Sequence, residues 1–173
     1  MREITTLAGI LLACTPVTPH QPPRFEMEIK TVNVFPVDPA HTDGDSFVRF
    51  HKANVLNMGD CYLPGSFPVV DHSNGGVLSG IIAAADAALG TLDSSSRIIP
   101  GHGAVASVQD LREWRGMIAT IHERVATLVA AGKTLEQVKA ERPTQDWDGR
   151  LTRSFVTSAH VIEEAYREAV ARK

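Results

Sequence analysis

Residues 40–71 read AHTDGDSFVRFHKANVLNMGDCYLPGSFPVVD. Two short stretches in this run, Ser46–Phe50 and Asn54–Asn57, have the composition of strands and are bounded by polar or turn residues. Lys52-Ala53 sits where a hairpin would turn. Before them lies a polar loop, Asp38 to Asp45, containing His41-Thr-Asp-Gly-Asp45. After them comes Met58-Gly-Asp60, which opens a long Gly- and Pro-containing loop reaching Gly76. A loop of that length in a compact domain is usually functional.

Upstream, residues 25–37 read FEMEIKTVNVFPV. Phe25, Met27 and Ile29 alternate with charged residues, and the alternation resumes with Val32, Val34 and Pro36, the period of a half-buried strand. Downstream, Leu78, Ile81, Ile82, Ala85 and Leu89 form a helical stripe that Gly90 ends. Arg97-Ile98-Ile99 predicts a very short strand, followed by Pro100-Gly-His102-Gly103. Ser107 and Asp110 have the spacing of an acidic capping box. The helix they begin carries Leu111, Trp114, Ile118, Ile121, Val125, Leu128 and Val129 on one stripe and stops at Gly132. Thr134 with Gln137 starts another helix, which Arg142-Pro143 breaks, and a last helix runs over 155–170. Strands come first and helices last, which predicts an α/β fold with a mixed sheet covered by helices on one face.

The charge balance limits the partners. The formal net charge of −3 lacks the basic footprint of a nucleic-acid binder. Two cysteines, Cys14 and Cys61, are too few for a disulfide framework or a cysteine-based zinc site. Residues 1–24 form a separate segment. Ile4 to Ala13 is apolar but too short to span a bilayer. It reads either as a helix of the domain or as a signal-peptide core for export, and Leu11-Leu12-Ala13-Cys14 resembles a lipoprotein cleavage box. Residues 15–24 hold four prolines and predict an extended connector. The remaining 25–173 read as one domain.

Three motifs carry chemistry. HTDGD, MGD and PGHG each place His or Asp directly after a strand, among small residues that let a side chain approach an ion. His and carboxylate together suit zinc or a similar divalent cation. A carboxylate can bridge two metals about 3.5–4 Å apart. Singly, each motif reads as well as a turn or a surface histidine. Together, AHTDGDSFVRF (40–50), ANVLNMGDCYLPGSFPVVD (53–71) and RIIPGHG (97–103) resemble the C-terminal half of the metallo-β-lactamase fold. The similarity runs from about Phe25 to the C-terminal helices.

The resemblance implies a metal-dependent hydrolase holding up to two zinc ions, with hydroxide formed from metal-bound water as the nucleophile rather than a side chain. It places His41 as a ligand of the first metal, Asp60 as the carboxylate shared by both, and His102 as a ligand of the second. Asp43 and Asp45 read either as partners orienting His41 or as turn formers; Asn57 has no assigned role. The superfamily's HxHxDH motif is absent: the histidines are 20, 41, 51, 72, 102, 122 and 160, no two lie two residues apart, and Asp71-His72 falls in the wrong loop. One His and one shared Asp per ion falls short of the three protein ligands usual for catalytic zinc.

Three readings follow. The first is a hydrolase completed by a complementary N-terminal half or a second copy of the chain. The second is a non-catalytic half-domain with weak or no metal binding. The third is an exported lipoprotein-like binding protein, resting on Cys14.

Overall fold

The computed structural model describes residues 32–151 and 156–172. The predicted strand over 25–31, the apolar run before it, the proline-rich connector, His20 and Cys14 lie outside the described residues. Five strands form one sheet in the order β1 (Val32–Pro36), β2 (Ser46–Phe50), β3 (Val55–Gly59), β4 (Arg97–Pro100) and β5 (Ala106–Ser107). β1, β2 and β3 pair antiparallel, β3 and β4 pair parallel, and β4 and β5 pair antiparallel. A parallel pair needs a crossover connection. Here it is the long loop plus helix α1 (Leu78–Leu89). The helices α2 (Val108–Ala130), α3 (Leu135–Ala140), α4 (Gln145–Asp148) and α5 (Ser158–Ala171) follow.

The sheet's two faces are unlike. Phe35, Phe47, Leu56, Met58 and Ile98 pack into the core with the helices. Phe35 and Phe47 meet edge to face, 5.8 Å between centroids. The register puts Val34, Val48, Asn57 and Ile99 in one row and Val32, Phe50 and Val55 in the next, both on the opposite face. None of these is buried, and Val34 is 68% exposed. The alternation of Val32 and Val34 thus marks a strand whose stripe points away from the helices, while Phe35, the next residue after Val34, reaches the core. Apolar side chains on both sides are what a sheet covered on both faces requires.

α2 is the spine of the helical layer. Its start has the full capping box: Ser107 Oγ accepts from Asp110 N at 3.2 Å and Asp110 Oδ2 accepts from Ser107 N at 2.8 Å. Val108, Leu111, Trp114, Met117, Ile118, Ile121, Val125 and Val129 are buried along one side. Each contributes roughly 1.5–3 kcal/mol of apolar transfer, an upper figure. The Thr134–Gln137 capping box also forms. Two elements went unread in the sequence. β5 has only two residues and α4 only four, too short for any period to show.

The start of α1 is closed from a distance. Val77, its N-cap residue, offers no side-chain acceptor. Instead Glu168 of α5 accepts from Ser79 N at 3.1 and 3.2 Å. His122 Nε2 of α2 stands 3.4 Å from the same carboxylate, whose side chain is 15% exposed. One acidic side chain therefore ties three helices, with the favourable sign for a helix N-terminus. Burial raises the Glu168 carboxyl, but His122 and Ser79 outweigh it and hold the group below 4.5. A depressed folded pKa stabilises above the unfolded value, and that stabilisation is lost as pH falls through the folded one. Glu168→Ala is therefore expected to cost about 1–3 kcal/mol in urea unfolding at pH 7, and the difference from the parent should shrink as the pH drops below 4.5. An equal cost at pH 3 would contradict this account.

Candidate metal centre

His41, Asp60 and His102 follow β1, β3 and β4 in the chain, and the structure brings them together. His41 Nε2 is 3.7 Å from Asp60 Oδ2, and His102 Nε2 is 3.6 Å from Asp60 Oδ1. The two imidazoles thus address different oxygens of one carboxylate. Both separations exceed hydrogen-bond length. Among the described residues no three His, Cys, Asp or Glu side chains gather around a single point. The arrangement is two His–carboxylate pairs sharing Asp60, not one triad.

Asp60 owes its place to the end of β3. The register shifts between Asn57 and Gly59 where β3 meets β4. Asn57 Oδ1 accepts from Gly59 N at 2.9 Å, and Gly59 has φ +52°, a left-handed conformation natural to glycine. This turns the chain so that Asp60 stands beside the end of β4. Gly101 N donates to Gly59 O at 2.7 Å across the gap. A Cβ at Gly101 would collide with Asp60 Oδ1 and lie 2.9 Å from its Cγ, so only glycine lets the carboxylate lie there.

His41 is placed by the long loop. Asp71 N donates to His41 O at 2.9 Å, Asp43 N to Asn74 O at 2.9 Å and Val77 N to Ala40 O at 2.8 Å, so residues 71–77 pair with 40–43. The His41 ring lies 3.2 Å through Nδ1 from the Val69 carbonyl. A carbonyl only accepts, so Nδ1 carries the proton and the lone pair of a neutral ring sits on Nε2, facing Asp60. Asp71 caps the 3-10 turn His72–Asn74, and its bonds from Ser73 and then Asn74 hold its carboxyl below the ordinary range. The side chain of His41 is 17% exposed and that of His102 is 77% exposed, so the centre opens to one side.

Of the neighbouring acids, Asp45 resolves as a turn former. Asp45 accepts from Thr42 N at 2.9 Å and Thr42 Oγ1 at 3.0 Å, which closes the HTDGD loop. It also accepts from the buried Cys61 Sγ at 3.2 Å. Burial, more than any other cause, pushes the Cys61 thiol up to about 12, so it remains a neutral donor. Of the other described histidines, His51 and His72 lie exposed in turns, while His122 and His160 are half-buried on α2 and α5. The Val69 carbonyl is the contributor that sequence reasoning missed, because a backbone acceptor leaves no trace in residue type.

No protein-family model matches this chain, and no curated protein matches it in sequence. Solved structures do. The inverting sec-alkylsulfatase Pisa1 from Pseudomonas sp. matches with a TM-score of 0.62 at 18% identity, over 80% of this chain and 25% of that one. DIM-1 metallo-beta-lactamase matches over 54% of this chain and 44% of that one, with a TM-score of 0.46 and 19% identity. ETHE1 from Myxococcus xanthus matches over 82% and 54%, with a TM-score of 0.42 and 18% identity. The chain spans less than half the length of DIM-1 and a quarter of Pisa1. With a mixed five-stranded sheet, one helix crossing from β3 to β4 and the others after β5, and three strand-end loops meeting at Asp60, the described chain has the fold of one part of a metallo-β-lactamase domain.

Proposed function

We propose that this chain is the C-terminal half of a metallo-hydrolase centre, with His41 and Asp60 holding one divalent cation and His102 and Asp60 a second. The observation that carries this is the placement of the two imidazole nitrogens, 3.7 and 3.6 Å from different oxygens of the same carboxylate. A cation about 2.0–2.2 Å from an imidazole nitrogen and a carboxylate oxygen separates the two donors by roughly 3.3–3.7 Å, for angles from tetrahedral to 120°. The observed spacings are too long for hydrogen bonds and right for that bridge, so the residues fit the metal. When bound, such cations supply Lewis acidity toward a carbonyl or ester oxygen and toward water.

The chain's own residues do the positioning. The Val69 carbonyl fixes the His41 tautomer, as partners of metal-binding histidines commonly do. Gly101 leaves Asp60 room, and the β3–β4 pairing keeps Asp60 and His102 at one edge. Zinc is the cation that this donor set suits best. One imidazole and one carboxylate oxygen per ion leave each site short of protein ligands. The apolar face bearing Val34, Val48 and Ile99 supports the completion of the centre by a complementary αβ half that packs there. A second copy of the chain is the other source of such a half. No described helix is long and apolar enough to cross a bilayer.

The short ligand count also favours a second reading, a non-catalytic half-domain that binds metal weakly. One titration separates the two. Purified full-length chain, stripped with chelator and titrated with zinc, is expected to take up about two ions. Asp60→Ala should abolish both, and His41→Ala and His102→Ala should each remove one. Gly101→Ala should weaken uptake at least tenfold with the circular dichroism spectrum preserved. Sedimentation velocity of the loaded chain tells whether a second copy is the completing half. No zinc uptake would favour the inert half-domain, and parental uptake by Asp60→Ala would sink the ligand assignment.

A further inference from the structure

A cleft of about 700 Å³ opens along the segments that follow Asp60 and His102. Its walls are the loop after Asp60, the loop after His102, and the indoles of Trp114 on α2 and Trp147 on α4. Tyr62, two residues past Asp60, and Val105, three past His102, both line it. The two loops meet at its edge, where a Cβ on Gly103 would stand 3.3 Å from Pro64 Cγ. The cleft and the centre are thus built from the same two strand-end segments.

Three observations describe what the cleft accepts. Val105 is 61% exposed, one of three large apolar side chains so open among the described residues, and it forms part of this wall. Two acidic residues line the cleft, and each accepts a hydrogen bond from a neutral neighbour: Asp110 from Ser107 Oγ at 2.7 Å and Glu113 from Gln109 Nε2 at 3.0 Å. Tyr62 is fully buried against Trp114, 5.1 Å between ring centroids, and its hydroxyl has no hydrogen-bond partner among the described residues. The walls thus combine aromatic and apolar side chains with the charged residues Asp110, Glu113 and Arg150. Clefts that join apolar and aromatic side chains to polar groups are a usual form of small-molecule sites.

We propose that this cleft receives the apolar organic part, an alkyl or aryl group, of the ester-like substrate whose reacting bond lies at Asp60 and His102. The assignment rests on the hydrolase reading above and narrows its substrate class to compounds with a hydrophobic substituent next to the scissile group.

The protein carries its own reporter, since its only two tryptophans, Trp114 and Trp147, both wall the cleft. In the metal-stripped full-length chain, neutral straight-chain amides from acetamide to octanamide are titrated against tryptophan emission. A saturable change is expected, with binding tightening up to about fourfold for each added methylene that is buried. Val105→Asp should weaken octanamide at least tenfold, and Val170→Asp, at an exposed position on α5, should leave it unchanged. Both side chains are exposed, so neither substitution burdens the core. Binding without chain-length dependence, or equal weakening by Val170→Asp, overturns the proposal.

The link to the centre is read with zinc restored. Octanohydroxamate, whose head chelates zinc, should bind at least tenfold more tightly than acetohydroxamate, and Val105→Asp should erase that gain. A gain that survives Val105→Asp overturns the proposal. If the chain takes up no zinc, the metal reading fails by itself, and the amide titration still decides the cleft.

Discussion

The parallel pairing of β3 with β4 governs the rest of the centre. Parallel strands end at the same edge of a sheet, so the loops that leave them emerge side by side. Here those loops begin with Asp60 and with Gly101-His102. The bulge at Asn57–Gly59 and the bond from Gly101 N to Gly59 O, 2.7 Å long, convert that shared edge into direct contact between the loops. A side chain on residue 101 would force them apart. The proposed carboxylate bridge is therefore a consequence of strand order and of one missing Cβ.

His41 reaches the same place by a different route. It leaves the β1–β2 connection, antiparallel to its neighbours, and nothing in that pairing alone would turn it toward Asp60. The turn comes from residues 69–77, which pair with 40–43 through backbone bonds and present the Val69 carbonyl to the imidazole. The same segment leads into α1, whose first turn is closed by Glu168 of α5. The loop that looks longest and least regular in the sequence is thus the connection between the helical layer and the proposed ligand. It is tied at both ends, which suits a side chain that must keep one rotamer and one tautomer.

Much of this was legible beforehand. β2, α1 and the long α2 follow from period and capping chemistry, and Ser107, Asp110, Thr134 and Gln137 make the predicted bonds. His41, Asp60 and His102 could be named because His and Asp among glycines after strands is a pattern tied to residue type. What stayed hidden has physical reasons. β5 and α4 are shorter than any repeat. The Val69 acceptor and the remote cap by Glu168 are tertiary contacts without a local pattern. The alternation in β1 was correct as a period but did not tell which stripe would face the helices, because both faces of this sheet are apolar. The cleft depends on Trp114 and Trp147, which lie on two different helices and come to line one cleft only in the folded chain.

The account depends on one carboxylate facing two imidazoles across gaps of cation size. Anomalous diffraction at the zinc edge, on crystals of the full-length chain grown with zinc, examines this directly. The account predicts peaks within coordination distance of Asp60, one beside His41 Nε2 and one beside His102 Nε2. Peaks only at surface histidines such as His51 and His72, with Asp60 free of metal, would contradict it.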